Sequence, residues 1–198
     1  PPWILINLGN IYFNEGQILK AMEKYSSAEL NFGKLDDDLV RNRGLATTYN
    51  NMALVNIEMG KFKEALDLLD KALSIRQRGD KMSDIAHSYK SMCELYYKWN
   101  IPKKALIYEK QVDSLFQFVQ NHPEFSLDNS DWTASMDYSI LKSYVGNCSE
   151  YKGDYHLVIE DYEKAVEAYT YAESFYDNWP FQLTKMLNNK SLALLGLK

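Results

Sequence analysis

The chain has 198 residues, of which 46% are hydrophobic, with 22 basic and 27 acidic side chains for a net charge of −5. That is the make-up of an ordinary globular chain of one or two domains, and nine glycines with five prolines exclude collagen-like and Pro/Gly-rich disordered classes. The negative charge argues against nucleic acid as a partner, since that affinity comes from Lys and Arg neutralising phosphates.

No apolar run approaches the roughly 18 residues a bilayer span needs, so no membrane contact is expected within these residues. The start, Pro1-Pro2-Trp3, has no initiator Met, basic region or cleavage site and reads as a trimmed or processed chain. The compartment stays open between cytoplasm and periplasm. Two cysteines, Cys93 and Cys148, are too few for a disulfide framework and read as buried free thiols.

Apolar residues at helical spacing predict helices over 3–15, 18–34, 38–59, 62–78, 82–99, 102–120, 131–152, 155–177 and 181–196. Gly16, Gly60, Asn100 and Gly153 are the expected turn residues, of the types that tolerate the left-handed conformation past a helix end. Asp36, Asp37 and Asp38 stand where the third helix begins, which suits the helix dipole better than it suits a metal. Pro102 falls in a first turn, where a missing N–H costs little. The stretch 120–131 carries Pro and loop formers and reads as a surface insertion anchored by Phe125 and Leu127. The last helix has no partner after it, and its apolar end, Leu192, Leu194, Leu195 and Leu197, favours a fifth repeat cut short over a polar cap.

These helices repeat. Leu5, Leu8, Gly9, Tyr12, Gly16, Ala21, Tyr25 and Ala28 recur 44 residues on as Tyr49, Met52, Ala53, Asn56, Gly60, Ala65, Leu69 and Ala72. A further 40 residues on stand Tyr89, Met92, Cys93, Tyr96, Asn100, Ala105, Glu109 and Val112. A fourth copy is expected another 53 residues on, with Val145, Gly146, Gly153, Val158, Tyr162 and Ala165. Gly9, Ala53, Cys93 and Gly146 then share the position where a small side chain lets two helices of a pair approach. No single pair buries its apolar face, so pairs must stack.

Leu5-x-x-Leu8-Gly9-x-x-Tyr12 with Ala21-x-x-x-Tyr25, and Gly60-Lys61-Phe62-x-x-Ala65, resemble the tetratricopeptide repeat. The resemblance implies an all-α fold, a right-handed α-solenoid of about four helix-turn-helix repeats plus a C-terminal helix. The repeats span approximately 2–36, 38–79, 82–119 and 131–177, with the insertion at 120–131 and the terminal helix at 181–196, in one domain of a longer chain. Periods of 44 and 40 look like the longer repeats of bacterial regulatory proteins and kinesin light chains.

The resemblance also implies a site. In this family the first helices of successive pairs line a concave groove that holds a peptide or protein segment. Carried over, the groove positions are Trp3, Ile6, Asn7, Asn10, Phe13 and Asn14 in the first repeat. The second supplies Thr47, Asn50, Asn51, Leu54 and Glu58. The third supplies His87, Lys90, Ser91, Glu94, Tyr97 and Lys98, and the fourth Ser143, Asn147 and Tyr151. Asn10, Asn14, Asn50, Asn51 and Asn147 carry both donors and an acceptor, which suits capture of a peptide main chain or simple solvation. The cations with which chaperone-binding members hold a C-terminal carboxylate are missing, because Ile6, His87 and Ser91 stand in their places.

Chemistry is otherwise sparse. There is no His-Glu-x-x-His, no Cys-x-x-Cys, no phosphate-binding glycine loop and no nucleophile elbow, so no catalytic residue, metal or cofactor is expected. Adjacent acids such as Glu160 and Asp161 face different ways on a helix. Asn147 and Asn189 match a glycosylation acceptor but fall inside expected helices. Tyr151, Tyr169, Tyr171, Tyr176 and Trp179 fit the packing pattern less well than the other aromatics, and packing competes with recognition at each. The expected function is a non-catalytic scaffold or sensor, the input domain of a bacterial regulatory protein; the alternative is self-association through the C-terminal helix.

Overall fold

The computed structural model describes residues 1–79, 81–122, 132–176 and 180–197. Among the described residues there are nine helices and no strand: α1 (Pro2–Asn14), α2 (Ile18–Phe32), α3 (Asp38–Glu58), α4 (Phe62–Arg76), α5 (Met82–Lys98), α6 (Pro102–Asn121), α7 (Trp132–Val158), α8 (Tyr162–Glu173) and α9 (Pro180–Gly196). The chain divides into two compact units, 1–91 and 92–198, with the division inside α5. Helices α1 to α6 and α9 lie within two residues of their expected spans. Residues 123–131, with Phe125 and Leu127, and Trp179 lie outside the described residues.

Unit 1 is built from α1 to α4 and the first part of α5. Gly9 on α1 meets the ring of Tyr25 on α2 so closely that a Cβ there would lie 2.3 Å from it. Ala21, Tyr25 and Val55 form one buried cluster, and Ile6, Ala28 and Phe32 form another. Helix α3 packs against both members of the first pair. It starts on Asp37, whose carboxylate accepts the amide of Val40 at 3.0 Å, with Asp38 in the first turn. The acidic run is therefore a helix start.

In unit 2, α7 pairs with α8 and contacts α6 and α9. Cys93 and Cys148 are free and buried. Burial pushes the Cys93 thiol well up, with Cys148 the next cause. Tyr169, Tyr176, Met186 and Ala193 form the core with Ala165 and Ala172.

The fourth copy sits in a different register from the one its glycines suggest. Among the described residues, left-handed backbone is found at Gly16, Gly60, Asn100 and Glu160, with φ of 72°, 71°, 62° and 60°. They place the copies at offsets of 44, 84 and 144 from the first, so the third-to-fourth step is 60 residues and the turn residue is Glu160. Gly153 lies inside α7, which runs on to Val158 where a turn near 153 was expected. Its role is that of Gly9: a Cβ on Gly153 would lie 2.5 Å from the Tyr169 ring. Gly146 packs instead on Tyr176. The physical job of Gly153 is close packing, not a turn.

Candidate binding surface

With the register fixed, first-helix positions can be compared copy by copy. The position of Ile6 is held by Asn50, Lys90 and Glu150, and all four are buried. The position of Phe13 is held by Ile57, Tyr97 and Leu157, with Ile57 and Tyr97 buried and the other two half-buried. Four of the expected groove residues, Ile6, Asn50, Lys90 and Tyr97, are thereby corrected, and Ser91 is buried as well. Asn50 is fully enclosed, Lys90 is 8% exposed and Tyr97 is 6% exposed. The Tyr97 hydroxyl donates to Glu109 Oε2 at 2.8 Å, and burial before all else pushes its phenol far up. These side chains lie beneath the surface, because at 3.6 residues per turn they are rotated off the outward face.

That outward face is the set spaced at 3, 7, 10 and 14 within each first helix. In α1 it is Trp3, Asn7, Asn10 and Asn14, all exposed; in α3 it is Thr47, Asn51, Leu54 and Glu58. His87 and Glu94 hold it in α5, and Asn147, Tyr151 and Asp154 in α7. Ser143 falls off this face in the corrected register.

Several of these polar groups tie one repeat to the next. Asn10 Oδ1 accepts the Tyr25 hydroxyl at 2.7 Å and the Asn51 amide at 2.9 Å. Asp154 Oδ1 accepts the Tyr169 hydroxyl at 2.7 Å and the Asn189 amide at 2.9 Å, the same bonds between equivalent residues. Burial pushes the Tyr25 phenol up to about 12. The third copy uses Glu94, which accepts from Tyr151, whose phenol burial and then Glu94 push well up. Ser91 holds the matching place after Leu54, which offers no acceptor, and its buried hydroxyl has no partner. Asn147 Oδ1 accepts the Tyr176 hydroxyl at 2.7 Å. Asn10 and Asn147 thus hold the fold through their oxygens, and Asn51 through an amide donor. Asn10 and Asn14 stay exposed, Asn51, Asn147 and Tyr151 half-exposed.

One residue was not singled out in the sequence and stands out in the structure. Arg76 occupies the position that Phe32, Phe116 and Tyr176 fill in the other copies, and it is 8% exposed. Its Nη1 donates to Ser88 Oγ at 2.8 Å and to Asn50 Oδ1 at 3.4 Å; its Nη2 donates to His87 Nδ1 at 3.2 Å. His87 Nδ1 is therefore unprotonated, and burial, then Arg76 and Lys90, hold the imidazole well below its ordinary pKa. The signal was available: aligning the ends of the second helices sets Phe32, Arg76 and Phe116 in one column.

Beside Arg76 lies a pocket of about 570 Å³. The outward-face residues Trp3, Thr47 and His87, from three successive first helices, line it together with Arg43, Ile75 and Arg76. Among the described residues no cluster of His, Cys, Asp and Glu could hold a metal ion, and no helix is long and apolar enough to cross a membrane.

Paired helices with a left-handed turn residue at equivalent positions, with Gly9 packed on Tyr25 and Gly153 on Tyr169, define an all-α helical-repeat protein. Residues 44–112, about a third of the chain, match the family model of the tetratricopeptide repeat. The same turn residue recurs outside the matched segment at Gly16 and Glu160. No curated protein matches the chain. Repeats of this family generally act as scaffolds for protein–protein interaction and are typically non-catalytic.

Proposed function

We propose that the chain is a non-catalytic peptide-binding module, the input domain of a bacterial regulatory protein, which takes a segment of a partner protein on the outward face of its first helices. The observation that carries this reading is the pocket in unit 1, where equivalent positions of three successive first helices, Trp3, Thr47 and His87, converge on one volume of about 570 Å³. That lies within the range of sites that enclose a small ligand or side chain. The amide donors of Asn7, Asn10 and Asn14 stand on the exposed face of α1 and suit a peptide main chain.

The test is selection of peptides from a displayed library against the chain, followed by affinity measurements on variants. Trp3→Ala and Thr47→Glu are expected to weaken a selected peptide by about tenfold or more, as truncating an anchor or blocking its pocket does. Lys110→Glu, an exposed change on a second helix, is expected to leave it unchanged. No selected peptide, or equal loss at Lys110, overturns the reading. A second reading, self-association through α9, draws on its exposed Leu192, Leu194, Leu195 and Leu197.

A further inference from the structure

The chain as a whole is acidic, at −5, yet the lining of the pocket in unit 1 is not. Among the described residues, Arg43, Arg76, Arg78 and Lys81 line it together with one carboxylate, Asp84. Arg43 and Arg78 are exposed to solvent, whereas Arg76 is built into the wall where other copies bury an aromatic. Replacing a core phenyl ring by a guanidinium removes apolar burial and adds a charge to desolvate, which costs stability. The neighbouring polar groups meet that cost: Ser88, His87 and Asn50 all accept from Arg76. His87 is held neutral, so it accepts from the guanidinium and adds no competing charge. Trp3 and Ile75 complete the lining with apolar surface.

We propose that this pocket binds an oxyanion group of the partner peptide, a carboxylate or a phosphate, through Arg43 and Arg78 with Arg76 behind them. The planar guanidinium fork matches either group in bidentate geometry, and charge-assisted bonds of this kind are about twice as strong as neutral ones. Asp84 limits the pocket's positive charge and lies on the α5 wall. The apolar lining accommodates the carbon body that carries the anionic group. This inference rests on the peptide-binding reading and specifies its partner: an acidic or phosphorylated segment, selected by a site that lies apart from the outward-face amides.

The experiment is an array of short peptides of graded net charge, with glutamate, phosphoserine and neutral glutamine or serine versions of each, probed with the intact chain. Binding is expected to rise with negative charge and to fall by about tenfold in the Arg43→Gln/Arg78→Gln double variant, whose two sites are exposed and leave the core untouched. It should also weaken as salt is raised toward the range where the Debye length is about 8 Å. The ratio between glutamate and phosphoserine peptides identifies the source of the oxyanion. Arg76→Phe, which restores the residue type of the other copies, is expected to keep the helical signal and lose the charge preference. Peptides that bind regardless of charge, with the double variant equal to the parent, overturn the oxyanion pocket and leave the peptide-binding reading standing. An array on which no peptide binds overturns both.

Discussion

Glu160 holds a left-handed backbone conformation, φ 60°, at the turn where the first two copies place glycine. For an L residue that conformation costs roughly 1–2 kcal/mol, and glycine gives back part of the gain through the greater freedom of the unfolded chain. Glu160→Gly is therefore expected to raise stability by about 0.5–1 kcal/mol, read as a higher urea midpoint at unchanged slope. Gly153→Ala works the other way. Its new Cβ would sit 2.5 Å from the buried Tyr169 ring, and overpacking of this kind costs roughly 1–3 kcal/mol. If Glu160→Gly lowered the midpoint while Gly153→Ala left it alone, the turn would lie at 153 and the register given above would be wrong. The same two residues explain what the sequence hid. A glycine advertises either a turn or a close approach, and only the packing partner decides which. Glutamate at a turn advertises nothing.

At the scale of the helix, most of the architecture was legible because small residues recur at fixed spacing in every copy and meet an aromatic in the first and fourth. Gly9 with Tyr25 is such a pair, and the outward position of Asn10 follows from the same helix periodicity. Burial at the positions of Ile6 and Phe13 was harder to read, since a polar Asn50 or Lys90 there looks solvated until its register is known. Helix α9 shows the converse. Asn189 binds Asp154 as Asn51 binds Asn10, and Met186 and Ala193 are buried against α8. Lys185 also reaches the buried Glu150 at 3.1 Å. Burial pulls its ammonium pKa down, but Glu150 outweighs this and the net shift is up. Helix α9 thus meets α7 and α8 as α3 meets α1 and α2, in the place of a following repeat's first helix. Asn189→Ala removes one donor from Asp154 and leaves the apolar contacts, so about 1 kcal/mol of local stability should go. Hydrogen exchange is the measurement: amides of α9 should exchange about fivefold faster while those of α1 to α3 keep their rates. Unchanged exchange in α9 would mean that the Asn189 bond does not hold it.

For the whole molecule, the two readings of function make different demands on the leucines of α9. Leu192, Leu194, Leu195 and Leu197 are 56%, 46%, 61% and 48% exposed. Full burial of a leucine contributes about 2 kcal/mol, so covering the exposed half of each contributes about 1 kcal/mol, or about 8 kcal/mol for the four leucines of each of two copies. Association costs roughly 4–15 kcal/mol in lost freedom before any side chain is ordered. The balance is near zero, which corresponds to pairing no tighter than about millimolar. Sedimentation of the intact chain is accordingly expected to return its own 23.0 kDa from low micromolar concentration up to about 100 µM. Leu194→Glu and Leu197→Glu should leave that mass unchanged. A mass that doubles across the range and falls back in the Leu194→Glu/Leu197→Glu variant would place association at α9 and transfer the function from the pocket beside Arg76 to the end of the chain. With the arithmetic as it stands, the cationic pocket carries more discriminating chemistry than the leucines do, since its charge opposes that of the molecule around it.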